Sequence, residues 1–270
     1  MSGKKYELVD LESGKKTTLD ARSGSVGPDC LNIGNVTKDF GSFTFDPGFM
    51  ATASCESKIT YIDGDAGILL YRGYPIDQLA AKSSFIEVAY LLIYGELPTP
   101  KQLEQFDNSI RFHTMINETL LRFFNGFHYD AHPMAMVSAV VSSMAAFYHD
   151  SMDNHNPRHR EIFAHRMIAK IPTMVAAFQL IRKGQDPIQP RDDLVYAANF
   201  LYMLTEREPD PLAARIFDAC LILHAEHSLN ASTFSARVTA STLTDPYAVV
   251  ASAVGAMVDT VVHDVTGRLV

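Results

Sequence analysis

Residues 133–149 read Pro133-Met-Ala-Met-Val-Ser-Ala-Val-Val-Ser-Ser-Met-Ala-Ala-Phe-Tyr-His149. The run is apolar nearly all the way round a helix and is rich in Ala and Ser. A helix without a polar face is buried on several sides, so we expect it at the centre of the protein, closely packed by its neighbours. Residues 133–149 therefore predict a mainly α-helical fold.

Helix signals continue on both sides of this run. Ser84 with Glu87 forms a capping-box pattern, Gly95 marks a helix end, and Thr99-Pro100 places a proline in the first turn of the next helix. Apolar residues at helical spacing predict further helices at about 117–127, 158–170, 172–183, 193–205, 210–228 and 245–262.

The N-terminal residues have a different pattern. Residues 1–75 mix β-forming residues with Gly and Asp turns, which predicts a β-rich segment before a helical portion at 76–256. We expect short strands at Tyr6–Asp10 and Gly41–Phe45. Ile59–Ile62 and Gly67–Tyr71 are expected to pair as a hairpin.

Composition restricts the class of protein. The chain has 270 residues, a formal net charge of -8 and three scattered cysteines. This balance does not favour nucleic acid or an anionic membrane as the main partner. The N-terminus resembles no leader sequence, and no stretch reaches 18 charge-free apolar residues, so we expect a cytoplasmic protein without a membrane span.

The most informative pair of residues is His224 and His227, in His224-Ala-Glu-His227 at the end of an apolar helix. A metal pair is disfavoured because the HExxH spacing and a marked third ligand are absent, so no metal is expected. A structural histidine pair and a small-anion site both stay open. The polar cluster that follows, which includes Asn230, favours a pocket wall that donates hydrogen bonds to an anion.

A second concentration of charge lies between Arg158 and Lys170. Arg158, Arg160, Arg166 and Lys170 stand close together in an acidic protein, and Arg groups match carboxylates and phosphates. The alternatives are an anion or nucleotide site and an ordinary solvated helix face. The glycine loops of the usual nucleotide sites do not occur.

Seven motifs in consistent order resemble citrate synthase, in its bacterial type II branch. The resemblance runs from about residue 5 to about residue 256. The motifs are Phe43-Thr-Phe-Asp-Pro-Gly-Phe49, Ala53-Ser-Cys-Glu-Ser-Lys-Ile-Thr60, Ile62-Asp-Gly-Asp65, Tyr71-Arg-Gly-Tyr-Pro-Ile76, Tyr148-His-Asp150, Asn156-Pro-Arg-His-Arg160 and Leu223-His-Ala-Glu-His227.

The resemblance implies most of a large helical domain with a small β-rich N-terminal segment, the small domain being absent. It implies condensation of acetyl-CoA, a substrate and not a cofactor, with oxaloacetate in the tricarboxylic acid cycle. No further cofactor is implied. His227 matches an oxaloacetate-binding histidine, with His224 and Asn230 beside it. Members of the family are homo-oligomers built from dimers, up to hexamers.

The resemblance also implies an allosteric NADH pocket, as in the Gram-negative branch. Phe112 and Asp192 stand where that pocket has Arg and Asn. The residues that match it by position are His113, Thr114, Tyr148, Arg166, Lys170 and Gln185.

Residues 257–270 depart from the family pattern. The family continues into a Gly-Pro-x-His-Gly-Gly-Ala-Asn loop with its first catalytic His, whereas this tail reads Met257-Val-Asp-Thr-Val-Val-His-Asp-Val-Thr-Gly-Arg-Leu-Val270. No catalytic residue is therefore assigned. Three functions stay open: a citrate synthase lacking key catalytic groups, an inactive fragment that assembles with an intact synthase, and a 2-methylcitrate synthase.

Overall fold

The computed structural model describes residues 3–263, and side chains for residues 3–257. The chain divides into two compact units, one ending at Tyr61 and the other beginning at Ile62.

The first unit contains a three-stranded antiparallel sheet. Its strands are β1 (Lys5–Val9), β2 (Lys16–Arg22) and β3 (Cys30–Leu31), and Val9 pairs with Lys16 at the first turn. Thr17, Leu19 and Ala21 alternate as the buried side chains of β2, as one covered sheet face requires. The expected strand at Tyr6–Asp10 is confirmed.

The expected strand at Gly41–Phe45 is wrong. Helix α1 (Val36–Phe40) ends there, and Gly41 closes it with a left-handed φ of 72°. The Phe43 and Phe45 side chains are 88% and 91% exposed. A strand needs a neighbouring strand to pair with, or a face that packs against other residues. The alternation of Phe with Thr in the sequence gave no information on either requirement.

A second three-stranded sheet consists of β4 (Thr60–Asp63), β5 (Ile68–Tyr71) and β6 (Tyr74–Pro75) in that order. The predicted hairpin across residues 63–67 is confirmed. The next turn is two residues long, because Tyr71 pairs with Tyr74. Arg72 and Gly73 both have positive φ, at 51° and 90°, which is the pattern of a type I′ hairpin turn.

Ten helices follow over the described part of the second unit. They are α2 (Ile76–Lys82), α3 (Phe85–Tyr94), α4 (Pro100–Phe112), α5 (Glu118–Phe123), α6 (Pro133–Ser143), α7 (Pro157–Ile181), α8 (Tyr196–Thr205), α9 (Pro211–Leu223), α10 (Ala231–Ala240) and α11 (Pro246–His263). The mainly helical fold is confirmed, and no helix within the described residues has the length and apolar character to cross a bilayer.

The central position of the 133–149 segment is confirmed. Helix α6 packs against α7 and α11, and Met136, Val140 and Val141 on it are fully buried. The helix is shorter than predicted, since a 3-10 turn at Met144–Ala146 replaces its last turn. Met144 stays fully buried in that turn, so the apolar run keeps its packing after the α-helical geometry ends.

The helix starts read from the sequence are confirmed. Ser84 accepts from the backbone N–H of Glu87, and the Glu87 carboxylate accepts in return from Ser84 N at 2.7 Å. Thr99 and Gln102 form a second capping box before Pro100. Gly95 ends α3 with φ 98°.

The predicted break at Pro172 is wrong. Helix α7 runs unbroken from Pro157 to Ile181 with Pro172 inside it. Proline has no N–H, so the carbonyl of Ile168, four residues earlier, has no helical donor. The hydroxyl of Tyr196 on α8 donates to this carbonyl at 2.7 Å. A side chain from another helix thus supplies the hydrogen bond that the proline removes.

We expect Tyr196→Phe to lower the free energy of unfolding by about 1–3 kcal/mol, because it leaves the Ile168 carbonyl without this donor. Urea unfolding followed by circular dichroism measures the loss. In a Pro172→Ala background the backbone N–H at position 172 can donate to Ile168, so the same tyrosine substitution should cost much less. An equal cost in both backgrounds would refute the explanation.

Candidate functional site

The segment with the two histidines is a loop between helices. Helix α9 ends at Leu223 and α10 begins at Ala231, so the predicted helix 210–228 is too long and His227 lies beyond it. His224 is the C-terminal cap of α9. The apolar helix therefore delivers the pair to its end, as expected, but the two rings do not share a helix face.

The His224 ring is fixed by its own helix. Its Nδ1 lies 2.8 Å from the carbonyl oxygen of Cys220, which can only accept, so Nδ1 carries a proton. In the neutral ring Nε2 is then an acceptor. His224 can donate from Nε2 to an anion only as imidazolium.

The His227 side chain is exposed and has no hydrogen-bond or ionic partner among the described residues. Its ring can present an N–H in either charge state. Asn230 caps α10, because its Oδ1 accepts from the N–H of Thr233 at 2.8 Å. The helix that it starts was not predicted, although Asn before a run of Ala, Ser and Thr is a typical N-cap signal.

The loop thus carries His224 at the end of α9, His227 within it and Asn230 at the N-terminal end of α10. That end carries a partial positive charge, which favours an anion. Three or more His, Cys, Asp or Glu side chains do not gather in metal-binding geometry anywhere in the described part of the chain.

The predicted basic segment divides into two parts. Arg158 and Arg160 are exposed, and Arg160 donates to the carbonyls of Asn154 and His155. Arg166 and Lys170 are buried, at 5% and 4% exposure. The four cations therefore do not form one surface.

Arg166 is buried at the centre of a polar cluster that reaches the surface at Asp150. Its guanidinium donates to both carboxylate oxygens of Asp150, at 2.8 and 2.9 Å, and to the hydroxyls of Ser151 and Tyr247. It also lies over the Tyr148 ring, 4.3 Å from the centroid. Asp150 could be anticipated from the Tyr148-His-Asp150 motif, whereas Ser151 and Tyr247 carried no signal in the sequence.

Lys170 lies on the same aromatic ring. Its Nζ is 5.1 Å from the Tyr148 centroid and donates to the carbonyl of Met115. Burial, with a smaller contribution from Arg166, lowers the pKa of Lys170 to about 8. Hydrogen bonding to Arg166 lowers the pKa of Asp150, so that carboxyl stays ionised.

Of the other residues matched to the NADH pocket, only His113 is electrostatically coupled to this cluster. Burial is the main cause that lowers its pKa, and Arg166 and Lys170 lower it further. The Thr114 hydroxyl donates to the carbonyl of Arg111 at 2.8 Å. Gln185 lies beyond Ile181, the last residue of α7, which is about 16.5 Å along the helix axis from Lys170 at about 1.5 Å per residue.

A large cavity in the second unit lies elsewhere. It has a volume of about 700 Å³ between α3, α4, α8 and α9, and its walls are mainly apolar. Neither His224 nor His227 lines it, so its size does not identify the anion site.

Comparisons with known proteins agree on the family. The family model described as "Citrate synthase, C-terminal domain" matches residues 48–261. A citrate synthase from Synechocystis sp. is 54% identical over 214 residues, which are 79% of this chain and 53% of that protein. The chain belongs to the citrate synthase family.

Solved structures support the same assignment. The citrate synthase from Pyrobaculum aerophilum is 40% identical with a TM-score of 0.73, over 78% of this chain and 54% of that one. The enzyme from Thermotoga maritima is 33% identical with a TM-score of 0.69, over 79% and 56%. This citrate synthase-family chain spans about half the length of the relatives that it matches.

We expect Lys170→Met to change how stability depends on pH. The pKa of this lysine is about 8 in the folded chain, against an ordinary lysine pKa of 10.5, so the unfolded chain holds the proton to higher pH than the folded chain does. Wild-type stability therefore gains a contribution as pH rises from about 8 to 10.5, and the variant lacks that gain.

Urea unfolding at several pH values across this window measures the difference, with exposed Lys101→Met as the control. If the stability difference between wild type and Lys170→Met does not vary with pH, the buried-cation interpretation is wrong.

Proposed function

We propose that this chain supplies the oxaloacetate-binding part of a citrate synthase, which converts acetyl-CoA, oxaloacetate and water to citrate and CoA in the tricarboxylic acid cycle. The observation that carries the proposal is the loop His224–Asn230 in a chain 54% identical to a citrate synthase. Its exposed imidazoles can donate hydrogen bonds to a dicarboxylate, and the N-terminal end of α10 carries a partial positive charge that favours one.

The two histidines have different parts in this proposal. His227 has no competing partner within the described residues, so its N–H can donate to a carboxylate or to the ketone oxygen of oxaloacetate. His224 is held by the carbonyl of Cys220 through Nδ1, so only its Nε2 is available to a ligand. Asn230 keeps its Nδ2 hydrogens for the ligand while its Oδ1 caps the helix.

We expect His227→Gln to weaken oxaloacetate binding about 10- to 100-fold. A hydrogen bond to a charged group contributes about 1.5–3 kcal/mol, and the substitution displaces that donor. Isothermal titration calorimetry measures the loss. His128→Gln, which alters an exposed histidine paired with Asp130, is the matched control and should bind as wild type does. Equal affinity in all three proteins would reject His227 as a ligand.

Turnover requires more groups than this loop offers. The catalytic base and the enol-stabilising histidine of the family match no residue of this sequence, and catalysis depends on all reacting groups being held in one geometry. We therefore infer that the 270-residue polypeptide binds oxaloacetate without condensing it.

A thiol-release assay with acetyl-CoA and oxaloacetate should accordingly give CoA no faster than buffer. Propionyl-CoA in a parallel reaction tests the 2-methylcitrate alternative, and it should also give no release. A clear release that His227→Ala abolishes would contradict the inference of inactivity and would support the synthase assignment.

Assembly and regulation are separate proposals. We propose a dimer-based homo-oligomer, hexameric at most, which could also incorporate intact synthase subunits. Helix α9 offers an exposed apolar stripe for such contacts, with Leu212, Ile216 and Leu223 at 67%, 56% and 46% exposure.

An NADH effector bound at the Arg166 cluster would have to displace existing contacts. The Arg166 guanidinium already donates to the Asp150 carboxylate, and the Lys170 ammonium already donates to the carbonyl of Met115.

A further inference from the structure

Tyr71 at the end of β5 contacts the loop that carries His227. The two are far apart in the sequence, yet the Tyr71 hydroxyl donates to the carbonyl of Glu226 at 3.0 Å and accepts from the N–H of Glu226 at 3.2 Å. We propose that Tyr71 is a positioning residue for His227. The proposal rests on the assignment of the His224–Asn230 loop to oxaloacetate.

The double hydrogen bond fixes the backbone that leads into His227. The Glu226 N–H belongs to the peptide before that residue, and its carbonyl belongs to the peptide that joins it to His227. Glu226 lies between α9 and α10, beyond the last backbone hydrogen bonds to α9 at His224 and Ala225, so its backbone groups need another partner. A phenol can donate and accept at once, which meets both needs with one atom.

The Tyr71 ring is itself held rigidly. It is fully buried and packs in one cluster with Leu79, Val88, Leu91 and Ile222, the last of which lies on α9. The tight turn at Arg72-Gly73 follows directly. The Arg72 guanidinium donates to the carbonyl of Leu92 at 2.7 Å, which fastens that turn to α3. The hydroxyl position is thus set mainly by packing against α2, α3 and α9, with Ala225 of the loop also packed against the cluster.

A second restraint lies on the other side of His227. The Glu226 carboxylate accepts from the N–H of Ser228 at 2.7 Å, and Ser228 has the left-handed φ of 53°. The residues before and after His227 are both held, while its imidazole projects free of partners in the described chain. This arrangement preorganises one side chain, which lowers the ordering cost when a ligand binds.

Tyr71→Phe tests the proposal, because the ring and its packing remain and only the hydroxyl is lost. Tyr196→Phe is the matched control: it also removes a tyrosine hydroxyl bound to a backbone carbonyl, but at Ile168. Thermal unfolding of both variants establishes that they are folded. The readouts are NMR signals of ring-labelled histidine, assigned with His227→Gln, and amide hydrogen exchange.

With oxaloacetate, we expect the dissociation constant read from the His227 signal to rise about tenfold in Tyr71→Phe and to stay within twofold of wild type in Tyr196→Phe. Without ligand, the amides of Glu226 and Ser228 should exchange at least tenfold faster in Tyr71→Phe only. Unchanged exchange at both amides, or unchanged affinity in a binding-competent chain, would overturn the positioning role.

The exchange measurement without ligand tests the role of Tyr71 separately from the proposed function. If wild type does not respond to oxaloacetate, the proposed function fails, and the exchange data still decide whether Tyr71 orders the loop. Should Tyr71→Phe not fold, Glu226→Ala removes the restraint on Ser228 and should accelerate exchange of that amide at least tenfold. Unchanged exchange there would equally count against an ordered loop.

Discussion

Burial of the apolar surface of α6 is the constraint on which the second unit depends. Met136, Val140 and Val141 are fully inaccessible to solvent because α7 and α11 pack against the helix. A helix that is apolar all round has no solvent-facing side, so the chain must wrap other helices about it. Arg166 and Tyr247, on α7 and α11, then meet beside this core, which explains why Arg166 is buried, whereas Arg158 and Arg160 of the same basic segment are exposed.

The candidate ligand site has the opposite character. His224 and His227 stand where one helix stops and another starts, and their rings are exposed. The scaffold for this loop comes from a distant hairpin, through Tyr71 and the cluster around Ile222. Rigid packing beneath the loop and exposed imidazoles on it are the distribution expected of a binding segment placed on a stable support.

Sequence reasoning succeeded where the signal was local. The capping box at Ser84, the helix start at Thr99-Pro100 and the hairpin before Tyr71 depend on residues a few positions apart. It failed where a distant residue decided the outcome. Pro172 predicts a helix end, and α7 continues because Tyr196 satisfies the carbonyl of Ile168. The motif resemblance predicts His224, His227 and Asn230 as candidate ligands, but Tyr71 could not be linked to them, since nothing in the sequence relates position 71 to position 226.

The central claim is that the loop between α9 and α10 binds a dicarboxylate. A backbone amide NMR map of the isotope-labelled chain, recorded with increasing oxaloacetate, tests it most directly. The account predicts saturable shifts concentrated at residues 224–233. Shifts that are absent, or that concentrate instead around the apolar cavity between α4, α8 and α9, would contradict it.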